Sequence, residues 1–430
     1  MRLQLYNQSM RFALLGYDSD AYLLVRWLVD DGQHELMFVI GAGGAANLLL
    51  TLIPGVQVRD SWEELLLGST VDVVIFARGE QTALLEHGLN PDDLRADQLR
   101  KLAQAAVPML VVCPACDAII GFEIEMIRRD VGGLIWPYVP GQHHPAIREL
   151  ACLVERSHDS PLGQLEQVTF DREQSRRDRV SVLQQLSRDF ALLRSLVGTL
   201  QSVSGSGPAR DVGRDPLGPK LKELPALANL SVALTSESRL PARWSISPPT
   251  TGDLGRLTLI GQRGKAILTM PAEGDWSLDI AGDTYSTTNF ASDADLSEVF
   301  QQLSQNIQSV AATAASPWIS SCRDQEAAEA VDRSLSRGRT IELFNEEHTE
   351  EASFKGVMAM GGCLLLACAL VIVLFAAVVE GLHLPMRNWP VWRLWPVYLL
   401  AAIGLFLLLQ LFRLAVKRPE LRSSSTLPDS

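Results

Sequence analysis

Clustered basic residues are what this chain most lacks. Its 430 residues carry 38 Lys and Arg against 50 Asp and Glu, a formal net charge of -12. Nucleic-acid backbones are bound by grouped cations that displace counterions, so this balance excludes a nucleic-acid surface. Cysteine is scarce as well, with six in the whole chain, which excludes a disulfide framework. No internal repeat is visible, and the N-terminal residues form no charged, apolar, small-residue signal peptide. That combination predicts soluble domains in a reducing cytoplasm. The one C-x-x-C, Cys113 to Cys116 in MLVVCPACDA, has only Cys152 and the His143-His144 pair nearby. A zinc site needs four ligands at suitable spacing, and a redox pair normally opens a helix in an activating environment, so neither chemistry is expected here.

Long apolar runs are confined to the C-terminal end. Gly356 to Val379 contains no charged residue, enough to cross a hydrocarbon core of ~30 Å as a helix. A second run spans Leu394 to Phe412, and the connector between them carries Trp389, Trp392 and Trp395 beside Pro385 and Pro390. Tryptophans of this kind favour the headgroup interface, so the pair predicts a transmembrane hairpin. Lys355, Arg413, Lys417, Arg418 and Arg422 flank its outer ends against Arg387 and Arg393 between them, a bias that places both termini in the cytoplasm.

The rest of the chain changes grammar once. From Met10 to Ile40 an apolar strand, a turn at Gly16, a helix with Leu23, Leu24, Trp27 and Leu28 on one side, and a strand from Leu36 make a β-α-β unit. Ser61 with Glu64 has capping-box spacing for a short helix. Strand Val71–Phe76, helix Asp97–Ala106 and strand Met109–Val112 continue the alternation, which implies a doubly wound parallel sheet. Past residue 135 come a helix with Val182, Leu186, Leu193 and Leu196 inward, a Gly- and Ser-rich loop, and alternating strands through Leu230–Leu234, Leu257–Leu259, Ile267–Met270 and Trp276–Ile280. This predicts an α+β domain with an open antiparallel sheet. The expected organisation is an extension (1–9, with Met10 a second candidate start), a Rossmann-like nucleotide-binding domain (10–135), an α+β domain (136–345), an acidic linker (346–355), the hairpin (356–415) and a tail (416–430).

The order of these elements, with SWEELL…VDVVIFA, a strand ending in Val112-Cys113-Pro114, PAIRELACLVE…SPLGQLEQVTF and the closing DQEAAEAVDRSLSRGRTIEL, resembles the Gfo/Idh/MocA family of nicotinamide-dependent sugar oxidoreductases over residues 10 to 345. The resemblance implies NAD or NADP as cofactor, held at a G-x-G-x-x-[GA] turn whose glycines admit the pyrophosphate. Here that turn is Gly16-Tyr17-Asp18-Ser19-Asp20-Ala21: Gly16 and Ala21 keep the pattern, and Asp18 sets a carboxylate where the dianion belongs. Arg78, at a strand end, is a candidate anion contact. The family's catalytic Lys position falls on Cys113, and its His and Asp positions fall on Arg188 and Ala191. Arg does not shuttle protons near neutral pH and Ala has nothing to titrate. His143, His144 and Arg188 are candidates for the substrate cleft.

Three readings follow. In the first, the chain is a membrane-anchored, catalytically degenerate protein that binds a nucleotide, a sugar-like ligand or a protein partner at the cytoplasmic membrane face. In the second, it is an active NAD(P)-dependent oxidoreductase acting on a sugar or sugar derivative, with Cys113, His143 or His144 as proton relay. The third makes the hairpin the functional part, acting on a membrane-protein partner.

Overall fold

A computed structural model of the chain describes residues 9–53, 55–67, 71–79, 91–156, 160–207, 227–282, 285–308, 316–343 and 367–379, with isolated positions between 394 and 404. It divides into two compact units, residues 1–345 and 346–430.

The first half of unit one alternates strand and helix: β1 (Arg11–Leu15), α1 (Ser19–Asp31), β2 (Glu35–Ile40), α2 (Ala46–Leu52), β3 (Gln57–Arg59), β4 (Val73–Phe76), α3 (Pro91–Gln104), β5 (Met109–Val112), α4 (Ala118–Val131) and β6 (Ile135–Tyr138). The strands pair in parallel in the order β3-β2-β1-β4-β5-β6. Continuous apolar runs such as VVIF in β4 and MLVV in β5 are buried throughout, because helices cover both faces of such a sheet. The chain turns away from β1 in opposite directions to β2 and β4, leaving a crevice at the carboxyl ends of β1 and β4 where ligands of doubly wound folds bind.

The second half begins with α5 (Pro145–Glu155), β7 (Leu165–Glu173), α6 (Arg179–Val197), β8 (Leu200–Ser206), β9 (Ser231–Ser236) and β10 (Ala242–Ser247). It continues with β11 (Leu254–Gly261), β12 (Lys265–Pro271), β13 (Trp276–Ala281), β14 (Tyr285–Phe290), α7 (Leu296–Gln308), α8 (Pro317–Arg337) and β15 (Ile341–Glu342). Its sheet runs β14-β13-β12-β11-β7-β10-β9-β8-β15. Helix α6 buries Val182, Leu186, Leu193 and Leu196 as its periodicity predicts. Two helices tie the halves together. Val299, Phe300 and Leu303 of α7 join the core around Phe12 and Leu24, with Phe300 stacked on Trp27 at 4.7 Å. Trp318 and Cys322 of α8 join the core around Val111, while its Ala327 and Val331 enter the core of the second half.

Several expectations are corrected. The second sheet is mixed rather than antiparallel, because β7 and β10 pair in parallel. The first sheet continues through β6, past the boundary expected at residue 135. Leu23 is 48% exposed, and Val25 takes the inward place on α1. Ser61 and Glu64 form no capping box: Ser61 Oγ donates to Glu63 at 2.8 Å and Glu64 pairs with Arg59 at 2.6 Å, before a 3-10 helix over Trp62–Leu67. Helix α3 begins at Pro91, whose missing amide hydrogen suits a helix start.

Residues 367–379, inside the first apolar run, are helical. The remainder of that run and nearly all of the second lie outside the described residues, as do 1–8, the Gly-rich segment 208–226, the linker 346–355 and the tail 416–430. Among the described residues no helix is long and apolar enough to cross a membrane.

Candidate functional site

The turn after β1 is closed by two backbone bonds, Gly16 N–H to the Ile40 carbonyl (2.8 Å) and Ala77 N–H to the Leu15 carbonyl (2.9 Å). Gly16 has φ +86°, and a Cβ there would lie 2.5 Å from the Ala77 carbonyl oxygen, so only glycine fits. Asp18 is the N-cap of α1. One carboxylate oxygen accepts from Ala21 N–H (2.8 Å) and the other from Arg78 N–H (3.2 Å), linking the β1 turn to the end of β4. Capping of this kind is worth about 1 kcal/mol. Burial and then Asp20 push the Asp18 carboxyl upward, against those two amide bonds. Tyr17 packs edge-on to Tyr22, and Ala21 is fully buried in the first turn of α1.

The Arg78 guanidinium pairs with Asp92 at 3.2 Å. A different arginine occupies the crevice. Arg95, on α3, is 4% exposed and places its guanidinium against Gly16, Gly41 and Gly79, at the ends of β1, β2 and β4.

Of the three residues that the resemblance aligns with reaction positions, Cys113 and Ala191 lie in a core and Arg188 beside it. Cys113 and Ala191 are buried in one apolar cluster with Trp318 and Cys322. Burial pushes the Cys113 thiol up to about 12, so it is protonated. The neighbouring thiols of Cys116 and Cys322 are pushed up by burial too, and among the described residues no group of His, Cys, Asp and Glu could hold a metal ion. Arg188 spans the halves: its Nε donates to the Cys113 carbonyl (3.1 Å) and its guanidinium pairs with Asp20 of α1 at 2.5 Å. Burial alone would lower its pKa; Asp20 and Asp18 outweigh that and raise it.

His144 is a structural residue. It is fully buried, its Nδ1 accepts from Ala146 N–H at 3.2 Å to cap α5, and its Nε2 lies 2.9 Å from the Ala291 carbonyl. Its ring stacks on Trp276 at 3.9 Å. His143 is partly buried, and burial lowers its pKa, with Glu298 opposing the fall. Neither ring stands on the wall of the cleft.

That cleft is a cavity of about 570 Å³ between the turn of α1 and the face of the second sheet, bordered by Asp20, Tyr138, Arg188, Asp189, Trp276 and Asp295. Asp189, fully buried, accepts two bonds from Arg172 (2.8 and 2.6 Å), one from the Trp244 indole (2.8 Å) and one from Gln185 (2.9 Å). Asp295 is 3% exposed, accepts from Gly141 N–H at 3.0 Å, and burial lifts its carboxyl to about 6. Burial likewise raises the Tyr138 hydroxyl, which stays protonated. Sequence reasoning missed Arg95 and Asp295. Arg95 lies in the part of α3 that precedes the expected helix start, and Asp295 sits in a polar segment that reads as surface.

The crevice does not fit NAD or NADP. A pyrophosphate needs bare backbone and free amides at the start of α1. Here Ala21 N–H is already taken by Asp18, a like charge stands in the turn, and a guanidinium fills the space beside Gly16.

No protein-family profile matches the chain, and no curated protein sequence does. Solved structures do. The myo-inositol dehydrogenase of Corynebacterium glutamicum is similar at 16% identity with TM-score 0.58, over 79% of this chain and 100% of its own. An oxidoreductase from Thermotoga maritima is similar at 17% identity with TM-score 0.59, over 78% and 99%. An oxidoreductase from Agrobacterium radiobacter, in complex with NAD+, L-tartaric acid and magnesium, is similar at 12% identity with TM-score 0.59, over 78% and 99%. At these identities the likeness shows the fold alone: a Rossmann-like parallel sheet joined to a mixed-sheet domain, as in NAD(P)-dependent oxidoreductases of the Gfo/Idh/MocA type.

Proposed function

We propose that the chain is a membrane-anchored protein that uses an oxidoreductase fold to bind a small, neutral, hydroxyl-rich ligand of the sugar class, without hydride transfer. The observation that carries this reading is the replacement of reaction chemistry by packing: Cys113 and Ala191 lie in an apolar core, and Arg188 is spent on Asp20 and the Cys113 carbonyl. The cavity beside them persists. Its two arginines, Arg172 and Arg188, are already paired with Asp189 and Asp20, so an anionic ligand meets carboxylates without a free cation to balance it. Hydroxyl groups, by contrast, donate to carboxylates, and the Trp276 ring offers an apolar wall to a sugar face. Membrane anchoring rests on the uncharged run Gly356–Val379 and its companion Leu394–Phe412. The positive flanks support a cytoplasmic location of the soluble unit, and a membrane-protein partner for the hairpin belongs to the same reading.

Calorimetry of the full-length chain against neutral polyols and sugars, with sugar acids as the opposing panel, tests the binding. Saturable heat from a neutral sugar, abolished in Trp276→Ala, is expected. Heat from sugar acids alone would overturn the ligand class, and turnover of any of these with NAD or NADP would overturn the absence of chemistry.

One observation favours a second reading, an active NAD(P)-dependent oxidoreductase. Asp295 is a buried carboxyl on the cavity wall that titrates at about 6, the range of a working acid or base. It replaces Cys113, His143 and His144 as the relay of that reading, since the thiol is protonated, His144 has both nitrogens engaged and His143 is off the wall. This reading requires turnover that disappears in Asp295→Asn.

A further inference from the structure

Gly16 and Gly41 directly follow β1 and β2, Gly79 lies three residues past β4, and all three face the same guanidinium. A Cβ on Gly16 would lie 3.0 Å from Arg95 Nη2, one on Gly41 3.7 Å, and one on Gly79 closer than either. The side chain therefore occupies the switch-point crevice from which a dinucleotide would approach the backbone. Its own bonding is meagre for a buried cation. Nη1 donates to Gln98 at 2.8 Å, Nε has no hydrogen-bond partner, and the face of Phe76 lies 5.8 Å away. The opposite charge nearest in effect is Asp18, and burial still depresses the guanidinium to about 10. A buried charge so poorly satisfied weakens a fold, so core packing alone gives no reason for an arginine here.

We propose that Arg95 is a built-in occupant of the dinucleotide crevice: with Asp18 it fills the space and takes the amide that a pyrophosphate would need, and so shuts the fold's cofactor site. Two losses coincide at one place. Arg95 removes the room beside Gly16, and Asp18 holds Ala21 N–H while setting a negative charge in the turn. Asp18 is the opposite charge that supports Arg95 in its burial, while two amides and Arg188 oppose the rise of the Asp18 carboxyl. The inference rests on the reading of the chain as a binder that performs no hydride transfer, and it supplies the device that keeps a dinucleotide out.

The test is NADH fluorescence titration of the full-length chain, its Arg95→Ala variant and the Asp18→Gly/Arg95→Ala double variant, each checked by thermal melting. The parent is expected to show no saturable binding up to about 1 mM, and the double variant a gain in affinity of at least about tenfold, or 1.4 kcal/mol. Should the double variant not fold, Arg95→Ala alone must show that gain. Two results overturn the proposal. One is a parent that binds NADH and loses at least about tenfold on Arg95→Ala, which makes Arg95 a cofactor ligand. The other is a folded variant with no gain. The second leaves the non-catalytic reading standing if the parent is inert, whereas turnover by the parent sinks both.

Discussion

Arg188 of α6 grips Asp20 of α1 at 2.5 Å while donating to the Cys113 carbonyl at the end of β5. One side chain from the second half thus binds two elements of the first, on the floor of the cavity. Arg188→Ala leaves Asp20, 13% exposed at its side chain, without that partner. Because Arg188 itself is a quarter exposed, the expected loss is roughly 2 kcal/mol, below that of a fully buried pair. Urea denaturation reads it as a lower midpoint at unchanged slope. Lys at this position should not restore the parent midpoint, since an ammonium lacks the fork that serves carboxylate and carbonyl together. An unchanged midpoint in Arg188→Ala would rule this role out.

Asp189 is a stronger case. It is fully buried and satisfies Arg172, Trp244 and Gln185 at once. Asp189→Ala strands a guanidinium and an indole N–H, and about 3–5 kcal/mol of stability should go with them. The check is the same urea midpoint, and a loss below about 1 kcal/mol would mean that water replaces the carboxylate there.

Asp295 predicts a pH dependence with a definite sign. Burial raises its folded carboxyl from the ordinary 3.8 to about 6, so the folded state holds its proton more tightly than the unfolded chain does. Its contribution is complete below the unfolded value and disappears as pH climbs from about 3.8 through about 6. The full swing is on the order of 2–3 kcal/mol. Melting temperatures across that window should fall with pH for the parent more steeply than for Asp295→Asn, which keeps an acceptor for Gly141 N–H. Equal slopes in the two proteins would show that Asp295 titrates normally.

Cys113 should behave as a core residue. With its thiol pushed up to about 12 and its side chain buried, iodoacetamide near neutral pH should leave it unmodified in the folded chain and label it after denaturation, read by peptide mass spectrometry. Rapid labelling of the native protein would contradict the apolar setting given to it here.

Local pattern and long-range placement divide this protein between them. The apolar runs of β1, β4 and β5, the inward stripe of α6 and the presence of Cys113, Arg188 and Ala191 where the resemblance implies a Lys, a His and an Asp are all legible in the chain, because each depends on residue types a few positions apart. The uncharged runs near the C-terminus are legible for the same reason. Other features depend on which segments the tertiary fold brings together. Parallel pairing of β7 with β10 is settled by the order of strands across the sheet, which alternation along one strand does not encode. His144 reads as a candidate for the substrate cleft, yet Trp276, far along the chain, stacks over its ring while its Nδ1 caps α5. Asp295 becomes a titrating group through burial against the loop at Gly141. Arg95 looks like one more charge on a polar helix, and only the crossover from β4 through α3 sets its guanidinium against the glycines that follow three strands. The sequence alone thus determined the class of fold; tertiary packing decided the surroundings of Cys113, Arg188 and Ala191, because burial, charge pairing and access to the crevice are properties of neighbours in space.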